Sequence, residues 1–291
     1  MINVFLKEGL GNNLFQYAVG KHLAVKNNTT IRLIIKTKHD ILGRKIIKRL
    51  GYFRIEAKQI IIEPISYATM IHERIGRLLG IHWLSCDGRV YYEKGWGFDP
   101  EVLAFKDGIY LDGFFQSEKY FKDIEHIIRN DLRFREDSFG EESATYKELI
   151  AKQNSVGLHI RRSDYLMSNL HNVCNMRYYN KSVAYMQNQL VSPYFFVFSD
   201  DIEWCSENLH ISNGSFVNIQ ASKKNPIIDL QLMSLCKHNI ISNSTFSWWA
   251  AWLNENHEKI VVAPNRWFND EILNAQALRD TIPDDWIRLD F

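Results

Sequence analysis

The second half of this chain does most to constrain its fold. Apolar runs of strand length at Val156–Ile160, Tyr194–Phe198, Phe216–Ile219, Asn239–Ile241 and Ile260–Ala263 alternate with stretches of helical spacing at Tyr178–Leu190, Asp201–Leu209, Ile227–His238 and Thr245–Asn254. Strands that are apolar throughout, not at every second residue, are buried on both faces. Separated by helices, such strands form a parallel sheet, so the expected architecture is α/β and doubly wound. The first half starts alike: a strand at Ile2–Leu6, a loop at Gly9-Leu10-Gly11, a helix over Leu14–Lys26 and a strand at Ile31–Ile35. The pattern blurs through 36–110, where Gly95-Trp96-Gly97 and Asp99-Pro100 mark loops, and resumes as a helix over Glu118–Asp131. The polar stretch Arg133–Lys152 reads as a connection. The 291 residues therefore divide into two α/β domains, 1–150 and 151–291, expected to face each other across a cleft.

Composition excludes several classes. A hydrophobic content of 46% rules out wholesale disorder. With 35 basic and 34 acidic side chains the net charge is +1, so nucleic acid has no general electrostatic claim as a partner. Cys86, Cys174, Cys205 and Cys236 lie far apart without a CxxC pair, which argues against a disulfide framework and a structural zinc. No apolar run approaches the ~18 residues of a membrane-spanning helix. The opening MINVFLKEGLGNN reads as a strand and not as a signal peptide, which places the chain in a reducing cytoplasm. The N-x-S/T triplets at Asn28, Asn213 and Asn243 are then chance. One region breaks the charge balance: residues 36–58 hold eight Lys and Arg against two Asp and Glu, a local +6 that leaves −5 elsewhere. Within 71–79, Ile71, Ile75, Leu78 and Leu79 share one helical face, with Arg74 and Arg77 off it. The plain reading is a solvated basic surface; the functional one is peripheral contact of 36–58 and 71–79 with an anionic membrane.

Ligands of doubly wound sheets bind where strands end and helices begin. Three strand ends here carry polar clusters. After Val156–Ile160, which includes His159, come Arg161, Arg162, Ser163 and Asp164. An Arg-Arg pair is ordinarily a salt-bridged surface loop. Behind a buried strand it suits a diphosphate, because guanidinium offers a permanent charge and a planar fork of donors. After Ile241 come Ser242, Asn243, Ser244 and Thr245, then Phe246 and an apolar helix. Hydroxyls and backbone N–H groups at a helix start cradle anions, although simple N-capping explains the same letters. Trp248 and Trp252, four apart, fit core packing better than a sugar site. After Phe198 come Ser199, Asp200 and Asp201. Asp200 can meet a guanine edge or ribose hydroxyls, the adjacent pair can hold a divalent metal, and Asp201 is read as the cap of the next helix. Asp229 is a first-turn helix residue by default and a base or ribose contact by hypothesis. The Gly9-Leu10-Gly11-Asn12 loop lacks the third glycine and the acidic strand end of a dinucleotide fingerprint.

Taken together these segments resemble the α1,2-fucosyltransferases of glycosyltransferase family 11. The resemblance rests on Gly9–Tyr17, Leu111–Phe121 (LDGFFQSEKYF), His159–Tyr165 (HIRRSDY), Phe196–Cys205, Asp229–Leu253 and Ala263–Trp267, in that order. Two positions differ: Asn13 stands where the family usually has Gln, and Ser163 where it commonly has Gly. The resemblance implies a GT-B fold of two Rossmann-like domains, GDP-fucose as donor, inverting transfer without a metal or other cofactor, and a galactoside acceptor. It implies Arg161 on the β-phosphate with His159 and Arg162 supporting, and Ser244 and Thr245 on the diphosphate. Asp200 and Asp229 would meet guanine or ribose, and Asn12 would lie near the donor sugar. Ser199, Asn243 and Phe246 complete the donor-side set. Asp164 is the candidate base for the acceptor hydroxyl. The acceptor is a galactose-terminated oligosaccharide or lipid-linked glycan, as in O-antigen synthesis. Two readings compete: another nucleotide-sugar transferase using Asp200 and Asp201 with Mg²⁺, and a non-catalytic glycan-binding module rich in its eight Trp and thirteen Tyr.

Overall fold

A computed structural model describes residues 1–37, 40–64, 89–135, 140–219 and 225–291. The chain forms two compact units, Met1–Arg135 and Glu136–Phe291. The sequence placed the division at 150/151. It comes earlier because the second part of the polar stretch 133–152 is a helix, Glu141–Lys152, that belongs to the second unit. Its Ile150 is buried, so the segment is a packed element and not a free linker.

In the first unit β1 (Ile2–Leu6), β2 (Ile31–Thr37), β3 (Gln59–Pro64), β4 (Val90–Tyr92) and β5 (Tyr110–Asp112) form a sheet of order β3-β2-β1-β5-β4. Every pairing among them is parallel. Strand β1 is buried at all five residues, as its unbroken apolar sequence requires. Helix α1 (Leu10–Lys26) follows β1 directly and lies close against it. At Gly20 a Cβ would come 2.4 Å from the Val4 side chain, so glycine sets that approach. Helix α2 spans Asp40–Leu50. The helix expected over Glu118–Asp131 is interrupted: single 3₁₀ turns at Glu118–Tyr120 and Lys122–Ile124 precede α3 (Glu125–Asp131). The break falls where Tyr120 and Phe121 are both fully buried, and Phe121 leaves helical geometry at φ −143°.

In the second unit, after α4 (Glu141–Lys152), come β6 (Asn154–Ile160), the short α5 (Ser163–Leu166), α6 (Met176–Gln189), β7 (Pro193–Ser199), α7 (Ile202–Asn208), β8 (Gly214–Phe216), α8 (Ile227–Leu235), β9 (His238–Ile240), α9 (Thr245–Leu253), β10 (Val261–Pro264), α10 (Glu271–Asp280) and β11 (Ile287–Leu289). The sheet order is β11-β10-β9-β6-β7-β8, again parallel at each pairing. The chain winds outward from β6 through β7 to β8, then returns to the other side of β6 and winds away through β9, β10 and β11. This is the Rossmann strand order, with its reversal between β6 and β9. Trp248 and Trp249 are completely buried, Trp248 stacks on Trp252 at 6.2 Å, and its Nε1 donates to the Thr281 carbonyl at 2.7 Å. These tryptophans are core, as their spacing implied. Cys174, Cys205 and Cys236 are free thiols, and Cys86 lies outside the described residues, as do 71–79. Among the described residues no helix is long and apolar enough to cross a membrane.

Candidate functional site

The strand reversal at β6/β9 brings together two of the three polar strand ends. Leu158 pairs with Ile240 across the sheet, so Arg161 and the Ser242–Thr245 segment leave neighbouring strands at the same edge. Two side-chain contacts knit them. His159 Nδ1 lies 3.0 Å from Ser242 Oγ, 83 residues away in sequence, and the Tyr165 hydroxyl donates to the Asn243 carbonyl at 3.2 Å. Burial pushes the His159 imidazole down to about 4, with the Arg161 charge adding to the effect, so this histidine is a neutral partner for Ser242. Burial likewise pushes the Tyr165 phenol up to about 12 and keeps it a donor. Nothing in the letters of the motif assigns Tyr165 this contact.

The third strand end is joined through ion pairs. Ser199 closes β7 opposite Ile160. Arg161 reaches Asp164 Oδ1 with Nη2 at 2.6 Å and Asp200 Oδ2 with Nη1 at 3.0 Å. Its guanidinium carbon sits 5.5 Å from the Tyr165 ring centre. Arg162 goes elsewhere. Its Nε pairs with Asp201 Oδ2 at 3.0 Å, and its guanidinium carbon lies 3.4 Å over the Trp204 ring. The expectation that both guanidiniums converge on one anion is therefore revised: Arg161 alone holds the strand-reversal position, and Arg162 fastens the start of α7. Consecutive side chains leaving a strand point to opposite sides, which accounts for the split.

The carboxylates are committed as well. Asp200 accepts the Arg162 backbone N–H at 2.9 Å through Oδ1 and pairs with Arg161 through Oδ2. Asp201 caps α7, accepting from the Trp204 N–H, and its own N–H donates to Ser199 Oγ at 3.0 Å. The cap assignment for Asp201 holds. Asp164 is 64% exposed, yet its near oxygen is bound to Arg161. In this geometry it aims a guanidinium, which departs from the role of base given to it above. Among the described residues no cluster of three or more His, Cys, Asp or Glu side chains could hold a metal ion.

At the β9 end Ser244 caps α9, its Oγ accepting the Phe246 N–H at 3.3 Å, and Thr245 opens the helix. A helix start of this kind carries unpaired-by-geometry N–H donors and the positive end of the helix dipole. The Phe246 ring lies 5.7 Å from that of His159. Asn243 is only 2% exposed, and its Nδ2 donates to the carbonyls of His171 and Trp267, each at 3.0 Å. It ties loops together beneath the site. Asp229 stands in the first turn of α8, the default position.

Asn12 belongs to the other unit. Its amide donates to Glu8 Oε2 at 3.0 Å and accepts from Gln116 Nε2 at 2.9 Å. Glu8 and Phe115, at the ends of β1 and β5, both hold positive φ, 60° and 53°. Such conformations persist only where surrounding contacts enforce them. At Phe115 the enforcing group is Glu93, which follows β4 and whose carboxylate accepts the N–H groups of Phe114 at 2.6 Å and Phe115 at 2.9 Å. Burial pushes Glu93 up to about 7. No motif pointed to Glu93 or Gln116, although Gln116 lies within LDGFFQS.

Comparison with known proteins decides the family. The model of Glycosyl transferase family 11 matches residues 98–290, more than half of the chain. The chain belongs to glycosyl transferase family 11. Two curated members of similar length align along nearly the whole of it. An "Alpha-1,2-colitosyltransferase" of Escherichia coli is 32% identical over 98% of this chain and 97% of its own. An "O-antigen biosynthesis glycosyltransferase WbnK", also of Escherichia coli, is 35% identical over 98% and 99%. Among solved structures, the ADP-heptose LPS heptosyltransferase II of Escherichia coli superposes with a TM-score of 0.50 over 99% of this chain and 89% of that one, at 13% identity. That likeness concerns fold alone. This family 11 chain is thus a glycosyltransferase built of two Rossmann-like parallel-sheet units, the GT-B type. The α1,2-fucosyltransferase resemblance is borne out, and the non-catalytic glycan-binding module is set aside.

Proposed function

We propose that the protein transfers L-fucose from GDP-fucose to the 2-hydroxyl of a terminal galactoside, with inversion and without a metal, in the assembly of a bacterial O-antigen-like glycan. The observation that carries this is that His159–Ser242 and Tyr165–Asn243 tie the segment bearing Arg161 to the loop that leads into the Ser244-capped α9, across the β6/β9 reversal. Breaking a sugar–phosphate bond builds positive charge on the ring and negative charge on the departing diphosphate. Arg161 and the helix-start donors stabilise that leaving charge, with Thr245 beside Ser244, because they are fixed before the reaction. Asp164 and Asp200 hold the guanidinium in place, and neutral His159 holds Ser242 without adding a second charge. Asp229 remains the proposed contact to guanine or ribose.

The test is calorimetry with GDP, UDP, ADP and CMP in the presence of EDTA. Selective GDP binding is expected, and turnover of GDP-fucose should survive EDTA. Loss of activity in EDTA restored by Mg²⁺ would return the Asp200–Asp201 metal reading. A second donor follows from the full-length similarity to a protein named as a colitosyltransferase: colitose, the 3-deoxy relative of L-fucose. Comparing turnover of the two GDP-sugars separates them.

Peripheral membrane contact is also proposed for α2. Its Ile41 is 81% exposed and Leu42 52% exposed, beside the exposed Lys45 and Lys48. Exposed aliphatic side chains next to cations suit an anionic bilayer. Co-sedimentation with phosphatidylserine vesicles, weakened by salt and by Ile41→Asp, is expected; equal sedimentation with neutral vesicles would remove the idea.

A further inference from the structure

The first unit has a built surface that the donor chemistry does not use. Strands β4 and β5 run parallel with Tyr92 opposite Asp112, so the segments following them emerge at the carboxyl edge of the sheet, the ligand-binding edge of such folds. On the β4 side Trp96 stands between Gly95 and Gly97, and Gly97 has φ 146°, a value that favours glycine. On the β5 side stands Phe114. The two rings are stacked with centroids 5.4 Å apart and planes 3° from parallel, and both residues are half-buried.

The loop carrying Trp96 is fastened at each end by largely buried groups. At its start, the Glu93 carboxylate takes two successive N–H groups of the facing segment. Gly113 permits this approach, since a Cβ there would lie 2.5 Å from the Glu93 Cβ. At its end, the Tyr120 hydroxyl donates to the Gly97 carbonyl at 3.1 Å and accepts the Asp99 N–H at 2.9 Å, while the Tyr91 hydroxyl donates to Asp99 Oδ2 at 2.6 Å. The facing segment continues from Phe115 into Gln116, which holds Asn12 and through it Glu8. A large aromatic pair thus stands at an edge held from beneath by the Glu93 carboxylate and by the buried Gln116–Asn12 pair.

We propose that the Trp96–Phe114 pair is a stacking subsite for one pyranose ring of the acceptor glycan, a β-galactoside. The argument depends on the galactoside acceptor proposed above and deepens it. An aromatic platform matches the C–H face that galactose exposes around C3, C4 and C5, and ligand sites pair such apolar contact with a few placed polar groups. The Glu93 clamp and the left-handed Phe115 are features a merely structural loop does not need; they fix where Phe114 stands. Trp96 and Phe114 are binding residues here, and Glu93 is a positioning residue.

The experiment is saturation-transfer NMR on the full chain with methyl β-D-galactopyranoside, with GDP binding measured by calorimetry on the same samples. Wild-type protein should transfer most strongly to H3, H4 and H5. Trp96→Leu should lose that transfer, or weaken galactoside binding about tenfold, the scale of one lost aromatic contact. Trp96→Phe, which keeps a ring in the same fold, should retain part of it. GDP affinity should be unchanged in both variants. No transfer in the wild-type protein, or transfer surviving Trp96→Leu, overturns the subsite. Should Trp96→Leu fail to fold, full transfer retained without the H3–H5 pattern in Trp96→Phe overturns it equally. GDP binding that persists while the galactoside result is negative leaves the donor reading standing, so the two failures are distinguishable.

Discussion

The two units each place their first strand inside a parallel sheet and differ in how the chain returns to it and in what stands where it ends. In the second unit the chain turns back directly to β9 beside β6, whereas in the first it passes to the edge strand β4 before β5 pairs with β1. At the β6/β9 edge stand cations, hydroxyls and a capped helix start, with Arg161 33% exposed. At the β1/β5 edge the Asp112 and Glu93 carboxylates are taken up by internal partners, while Glu8 is exposed. Lys7 pairs with Asp112, which is 6% exposed, and Glu93 is spanned by backbone N–H groups, while Trp96 and Phe114 are left half-open. On the proposals above, two parallel sheets of one chain would serve an anion at one edge and a neutral polyol at the other. Side chains at strand ends, and not the fold, decide the ligand.

Removing the charge at the second unit's edge should have the largest consequence. Arg161→Ala is expected to lower kcat by about 10²–10³-fold, the range for a lost charge-stabilising donor, in protein shown to be folded by circular dichroism. Near-wild-type turnover would take Arg161 off the leaving group. Its neighbour sharpens the point. Arg162→Ala removes a cation–π contact of about 1–2 kcal/mol and should lower the melting temperature by several degrees, with a far smaller loss of kcat. If instead it matched Arg161→Ala in kcat, both guanidiniums would be acting on the diphosphate after all.

The smallest effect contrasts the two edges by pH. Glu93 is raised from 4.5 to about 7 by burial, which outweighs the Phe114 and Phe115 N–H groups and Lys7, with Asp112 adding to the shift. A raised carboxyl gives stability that is full below 4.5 and is lost as pH rises through 7. His159 is lowered from 6.5 to about 4 by burial and Arg161, against Asp200. Its contribution is full above 6.5 and is lost as pH falls through 4. Hydrogen exchange should therefore quicken at Phe114 and Phe115 as pH is raised from 5 to 8, after correction for intrinsic rates. At the β6/β9 edge it should quicken as pH is lowered from 6.5 to 4. Glu93→Gln should abolish the first trend and leave the second; identical trends at both edges would contradict the assignment.

Much of the second unit was legible in its letters. The strands at Val156–Ile160 and Tyr194–Phe198 were visible as unbroken apolar runs, and the structure extends each by a residue or two. The polar clusters that follow its buried strands were legible too, as residue types and positions though not as contacts. The first unit was harder. Strands β4 and β5 are three residues each, too short to show a period, and they lie in the region that read as blurred. Glu93 gave no signal, since a single Glu after a short strand is ordinary until its carboxylate is seen on two N–H groups. The pairing of Asp164 and Asp200 with Arg161 was not legible for a related reason. A carboxylate near an arginine in sequence can accept a proton, a ribose or the arginine itself, and only position selects among these.

What the sequence determined was local: where apolar runs fall, where they stop, and that polar residues follow them, because burial on both faces leaves a period that one segment records by itself. What the tertiary structure decided was which ends become neighbours and whom each charge meets. His159 finds Ser242 across 83 residues, and Arg161 and Arg162, adjacent in the chain, part to different carboxylates. Strand order and ion pairing are set by packing between distant segments, and no single stretch of the chain carries that information.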